Sequence, residues 1–286
     1  MSFLKIGKES TESAFKLYKG VAALNIVAVN PTKEELSTLL NRTIEKDQEY
    51  LSQTDDGKTQ VRITFYGKTN PDSKTNNGIE LIVPITFTLV ADHRVGQTSG
   101  KVQVVDKYGR FGWATEEEIS TGAIPAYKNG PANISAGYRK ACQGEEALTE
   151  FLLTWLNVPN PAEYKNGSWI MKADPSDSEI ELPLKELFKG DVSSLKGIIT
   201  AASNHLVKAA VGVRTTDEGK QYQAVFTRKF VKNAVTDYSK LDAAITDFQN
   251  NGGAANTVFS TKDLHENVVE STSYSETEDS GDTPWG

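Results

Sequence analysis

Aromatic and basic residues are interleaved along this chain in a pattern suited to holding unpaired bases and phosphates without reacting on them. Lys107-Tyr108-Gly109-Arg110-Phe111-Gly112-Trp113 is the densest stretch, with Lys101 a few residues before it. Arg62, Tyr66 and Lys68 recur at every second or fourth position of an alternating segment, so they share one face. Tyr138, Arg139 and Lys140 are contiguous, and Tyr222, Arg228 and Lys229 accompany a late pair of β-rich runs. Flat side chains give bases a surface to stack on, each worth about 1–3 kcal/mol, and cations alongside meet the phosphates. The candidate stacking residues are therefore Tyr66, Tyr108, Phe111, Trp113, Tyr138 and Tyr222. The candidate phosphate contacts are Arg62, Lys68, Lys101, Lys107, Arg110, Arg139, Lys140, Arg228 and Lys229. Tyr108 and Phe111 are favoured because flanking glycines clear space for a base. Trp155, Phe151, Phe65 and Phe87 are expected in the core.

Other chemistries find no support in the residue types. One Cys and three isolated His (His93, His205, His265) have no zinc-ligand spacing. Gly109-Arg110-Phe111-Gly112 lacks the Lys-Ser/Thr ending of a phosphate-cradling loop, and no Gly-x-Ser-x-Gly elbow occurs. Glu145, Glu146 and Glu116–Glu118 stand at predicted helix starts, where the helix dipole accounts for them. The expectation is a protein that is not an enzyme and uses no metal or cofactor.

The elements that must carry the binding residues follow from periodicity. Val21–Asn30 is a β-rich run stopped by Pro31. Thr32 with Glu35 forms a capping box that opens a helix running to about Asn41. Gln60–Lys68 alternates, with Val61, Ile63 and Phe65 on one side and Arg62, Thr64 and Tyr66 on the other. Ile79–Ala91 is a second long strand, and Lys101–Thr115 holds two β segments. Glu145–Leu156 reads as an amphipathic helix with Leu148, Phe151, Leu152 and Trp155 inward. His205–Arg214 and Gln221–Lys229 flank a polar turn as a long hairpin, and Tyr238–Gln249 is a last helix. The fold class is mainly β with helices (α+β). Five strands with a helix between the third and fourth outline an OB-type barrel.

The last 24 residues carry seven carboxylates and no Lys or Arg, and end in Asp282-Thr283-Pro284-Trp285-Gly286. Removing those seven acids from 38 leaves 31 against 31 basic residues, so the tail holds the whole net charge of −7. Such a segment is expected to be disordered. Its partner-binding residues would be Glu276, Glu278, Asp279, Asp282, Pro284 and Trp285: charge steers it to basic grooves and the Trp tip fills a pocket. The expected organisation is an arm at 1–19, a binding domain at 20–250 with insertions at 116–144 and 159–202, and a linker and tail at 251–286. No apolar run approaches a membrane span. A lone Cys142 and the absence of a signal-peptide core in Met1–Lys5 predict a cytoplasmic setting.

Three stretches resemble the single-stranded DNA-binding proteins (SSBs) of crAss-like phages of Bacteroidetes. They are Lys16-Leu17-Tyr18-Lys19-Gly20-Val21 through Ala28-Val29-Asn30-Pro31-Thr32-Lys33-Glu34-Glu35-Leu36, then Lys107-Tyr108-Gly109-Arg110-Phe111-Gly112-Trp113-Ala114, and Gly144-Glu145-Glu146 through Phe151-Leu152-Leu153-Thr154-Trp155-Leu156-Asn157. The tail is similar in design to the acidic, Phe-tipped tails of replication SSBs, with Trp285 standing where they have Phe. The resemblance implies an OB fold and sequence-independent coating of single-stranded DNA in replication, recombination and repair. It also implies recruitment of polymerase, helicase or primase through the tail, in the host bacterial cytoplasm. Self-association and a preference between DNA and RNA stay open. The alternative is a phage structural or virion interaction protein with a β-rich core.

Overall fold

The computed structural model describes residues 15–69, 80–96, 98–125, 134–157, 163–171, 180–215, 221–250, 257–258 and 268–272. In chain order the elements are β1 (Phe15–Val29), α1 (Lys33–Leu40), β2 (Leu51–Gln53), β3 (Thr59–Thr69), β4 (Ile82–His93), β5 (Val102–Val105) and β6 (Phe111–Ala114). Then follow α2 (Glu116–Thr121), β7 (Arg139–Lys140), β8 (Cys142–Gln143), α3 (Glu145–Leu156), β9 (Glu163–Lys165), β10 (Ser168–Met171) and β11 (Ile180–Pro183). The last are α4 (Leu184–Leu187), α5 (Ser193–Ala201), β12 (Leu206–Thr215), β13 (Gln221–Lys232), α6 (Ser239–Asn250), β14 (Thr257–Val258) and β15 (Val268–Thr272).

The main sheet runs β13-β12-β1-β3-β4-β8, with β2 on β3, β14 on β12 and β15 on β1. All its pairings are antiparallel. β1 is long enough to serve both β12 and β3 besides β15. Gly20 to Asn25 pair with β12, and Leu24 to Val29 pair with β3. Among the described residues no ladder joins β4 to β13, so hydrogen bonds do not close the sheet. Side chains bridge that seam instead, with the rings of Phe87 and Phe230 6.3 Å apart.

The alternation in β3 does what its sequence requires. Val61, Ile63 and Phe65 point into the core opposite Leu89, Phe87 and Ile85. α3 lies across this core and inserts Leu148, Phe151, Leu152 and Trp155, all buried. Phe151 is the hub, its ring 5.1 Å from Phe65, 5.2 Å from Phe87, 5.9 Å from Trp155 and 4.8 Å from Phe230. Tilted, edge and stacked contacts at such distances add to the area buried. The helix starts where Gly144, at φ +85°, brings its backbone against β4; a Cβ there would lie 2.0 Å from the Thr88 carbonyl oxygen.

Two helices cover the outer face. α1 is held by the expected capping box, Thr32 Oγ1 accepting from the Glu35 N–H at 3.2 Å and Glu35 Oε2 from the Thr32 N–H at 2.9 Å. Its Leu36 packs with Ile44 and Tyr66. α6 lays Leu241 and Ile245 on Val21, Ala210 and Val231. The insertion at 159–202, unassigned from sequence, contains the three-stranded sheet β11-β10-β9 and helices α4 and α5. The segment 116–144 contributes α2, β7 and β8, with β7 completing a second small sheet, β6-β5-β7.

The strand boundaries differ from expectation at both ends of the chain. The first strand begins at Phe15 rather than Val21, taking in residues read as an arm. Within the stretch read as linker and tail, β14 pairs with β12 and β15 pairs with β1.

Candidate nucleic-acid interface

The β5–β6 hairpin is organised around Asp106. Its carboxylate accepts from the Tyr108 N–H at 2.9 Å, the Arg110 N–H at 3.1 Å, Arg110 Nε at 2.7 Å, and Ser135 N and Oγ at 2.9 and 3.0 Å. Burial alone would push this carboxyl up, but the backbone donors of Ser135, Arg110 and Tyr108 and the Arg110 guanidinium outweigh it and hold it below the usual carboxylate range. The carboxylate thus serves as the interior of a turn in which Gly109 takes φ +77°.

The turn displays Tyr108, whose 40% exposure makes it one of the few large hydrophobic side chains left in water. Lys107 Nζ stands 4.8 Å and Arg110 Cζ 5.2 Å from its ring centroid. Trp113 is half-buried on β6, with Arg94 Cζ 5.6 Å from its ring. Phe111 lies between them, half-buried and packed against the main core. Phe111 and Trp113 face the same way, opposite Val105 and Gln103, and Gln103 Nε2 donates to Glu146 of α3 at 2.6 Å. Phe111 and Trp113 are thus half-buried on the face that docks on the body, and Tyr108 stands exposed at the turn of the hairpin. Arg94, Lys101 and Lys107 border it, and among the described residues no carboxylate lies within salt-bridge distance of these three cations. Arg94 and its exposed neighbour Val95 were not singled out in the sequence, because no aromatic adjoins them there; only the fold brings Arg94 to Trp113.

Other predicted contacts have structural employment. Tyr66 is 2% exposed beneath α1, and burial pushes its hydroxyl up to about 12, so it offers no stacking surface. Tyr138 donates its hydroxyl to the carbonyls of Glu118 and Ala123 at 2.8 and 2.6 Å and packs with Val104, Ala114 and Ile134. Arg139 makes a two-pronged ion pair with the buried Glu145 and lies 3.6 Å from the Tyr164 ring centroid. Glu145 also accepts from Trp169 Nε1 at 2.9 Å and the Cys142 N–H at 3.0 Å. These contacts tie α3 to the β9–β11 insertion. Burial, with Glu145 beside it, raises the Cys142 thiol, which makes it a poor nucleophile.

The remaining cations divide by neighbour. Lys68 pairs with Glu80 at 2.5 Å, Lys140 with Glu116 at 2.8 Å and Lys229 with Glu150 at 2.7 Å. Arg62 lies on the outer face of β3, in register with Thr88. Tyr222 is half-buried on β13, opposite Arg214. Arg228 is on β13 with its side chain outside the described residues. Glu276, Glu278, Asp279, Asp282, Pro284 and Trp285 also lie outside them. Among the described residues no group of three His, Cys, Asp or Glu could hold a metal ion, and no helix is long and apolar enough to cross a membrane.

Compared with known proteins, the chain matches no family model, no curated protein and no solved structure.

Proposed function

We propose that this chain binds single-stranded DNA without sequence preference, as a non-enzymatic protein of phage replication and recombination. The observation that carries this reading is Tyr108: a part-exposed ring on a braced turn, with Lys107 and Arg110 close to it and two further aromatics following along the hairpin. Stacking on such a series tolerates any base, because every base has a flat face. Successive same-face residues of a strand are about 6.8 Å apart, a spacing an extended single strand can follow. Arg94, Lys101 and Lys107 would take the phosphates.

The strand order supports an open OB-type barrel as the scaffold. β1, β3 and β4 form the meander, α3 follows, and the β12–β13 hairpin returns to β1. An OB-type barrel would pair its strands in this order, which supports the reading, with side chains bridging the last seam. The acidic segment ending in Trp285 would recruit replication proteins and compete with DNA for the basic groove.

The test is fluorescence anisotropy with labelled oligo-dT and a duplex of equal length at two salt concentrations. The full chain is compared with one ending at Ser273, which keeps β15. Salt-sensitive binding to the single strand, tightened by removing residues 274–286, is expected. No binding by either chain would overturn the reading and favour the structural-protein alternative.

A further inference from the structure

The N-terminal part of β1 depends on a strand from the other end of the chain. β1 begins five residues before its ladder with β12, which starts at Gly20, and its ladder with β3 starts later still, at Leu24. Phe15 to Lys19 pair instead with Thr272 to Val268 of β15. Among the described residues β15 pairs with no other strand. Its attachments are thus a five-residue ladder and the connection 259–267, nine residues that span at most about 30 Å when extended. A short strand held along one edge, and carrying Glu270, Ser271 and Thr272, belongs to the part of a fold that opens at low free energy. When it opens, β1 is left with an unpaired edge beside Tyr18, a residue at 0% exposure. An unpaired edge is a template for a strand of the same sequence, and the β15 of a second copy supplies one with every contact identical.

We propose that β15 exchanges between neighbouring copies of this chain, so that Val268–Thr272 of one completes β1 of the next. In dilute solution the chain's own β15 wins, because its tether holds it at an effective concentration of the order of millimolar. Copies bound side by side on one single strand are confined to comparable local concentrations, and there the exchanged pairing links them. The exchange itself rests on β15; its promotion by DNA rests on the function proposed above.

Leu17 and Glu270 are directly opposed in the antiparallel ladder, where Cα atoms stand about 4.5–5.5 Å apart, within disulfide range. The experiment mixes two full-length variants in equal amounts, Leu17→Cys and Glu270→Cys, under mild oxidation. Only exchange can pair those two positions, since each chain carries one of the new thiols and the native half-buried Cys142 is replaced by Ser in both variants. The doubly substituted chain, alone and dilute, reports the internal pairing. Disulfide-linked heterodimer, assigned by mass after digestion, is expected at high protein concentration without DNA. In dilute protein it should rise at least ~10-fold on adding long oligo-dT. Heterodimer at high concentration with no rise on oligo-dT would uphold the exchange and count against the DNA reading. Internal cross-linking in the double variant with no heterodimer under any condition would overturn the exchange. Failure of both to cross-link would overturn the β15 pairing and the exchange with it.

Discussion

The side chain of Gln223 stands in for a strand beside Tyr18. Its Oε1 accepts the Tyr18 N–H at 2.9 Å, and its Nε2 donates to the Tyr18 carbonyl at 2.6 Å and to the Gly212 carbonyl at 2.6 Å. One primary amide thereby meets both backbone groups of a residue just beyond the start of the β1–β12 ladder, and ties β13 to β1 across β12.

Gln223→Leu preserves bulk but removes three hydrogen bonds to backbone groups in a half-buried setting. Each group that loses its partner costs about 1–3 kcal/mol, and partial access of water reduces the total. Stability in urea denaturation should fall by about 2–4 kcal/mol. A loss under ~0.5 kcal/mol would mean that water replaces the amide freely and that the clamp is dispensable.

Tyr108→Ala should weaken binding to oligo-dT by about 5- to 150-fold, the range for one stacked base, with urea stability unchanged within ~0.5 kcal/mol. The ring is partly exposed and makes its neighbours' contacts from outside the core. Phe111→Ala is a poorer probe, because Phe111 packs on the main core and its loss destabilises the fold as well. Equal affinity for Tyr108→Ala and the parent chain would remove the turn from the interface.

Asp106→Asn tests the brace under that turn through pH. The carboxyl is held below its unfolded value, so its contribution to stability is complete above the unfolded pKa of about 3.9 and is lost as pH falls through the lower folded value. As pH falls below about 4, the parent protein should lose stability more steeply than the Asn variant. At pH 7 the variant should be less stable by about 2–3 kcal/mol, having lost a charged acceptor for several donors. Parallel stability–pH curves for the two proteins would show that Asp106 contributes nothing to the acid limb.

Two glycines should respond in opposite directions to alanine. Gly197 sits on the exposed side of α5 with open space where a Cβ would go, so Gly197→Ala should stabilise by up to about 1 kcal/mol. Gly144→Ala should destabilise by several kcal/mol, because it combines a left-handed backbone with a clash against the Thr88 carbonyl. Thermal or urea unfolding of both variants checks the pair.

What was legible in the sequence was local. The 2-residue period of Val61, Ile63 and Phe65, the Thr32/Glu35 capping box, the amphipathic face of Glu145–Leu156 and the hairpin pair around the polar turn each arise within about a dozen residues. Propensity and burial point the same way there, and the structure has them. The α+β class follows from those elements alone. What only the tertiary structure decided was which side chains stay in water and which cations keep their charge unpaired. Tyr66 and Tyr108 read alike along the chain, yet α1 covers the first while the Asp106 turn holds the second out. Arg139 and Lys107 also read alike, but α3 brings Glu145 to Arg139, and among the described residues no carboxylate reaches Lys107. Arg94 meets Trp113, and Val268–Thr272 meets β1, across separations that no periodicity records. Local pattern sets the faces of an element; chain topology sets what lies against them, and exposure and charge pairing depend on the latter.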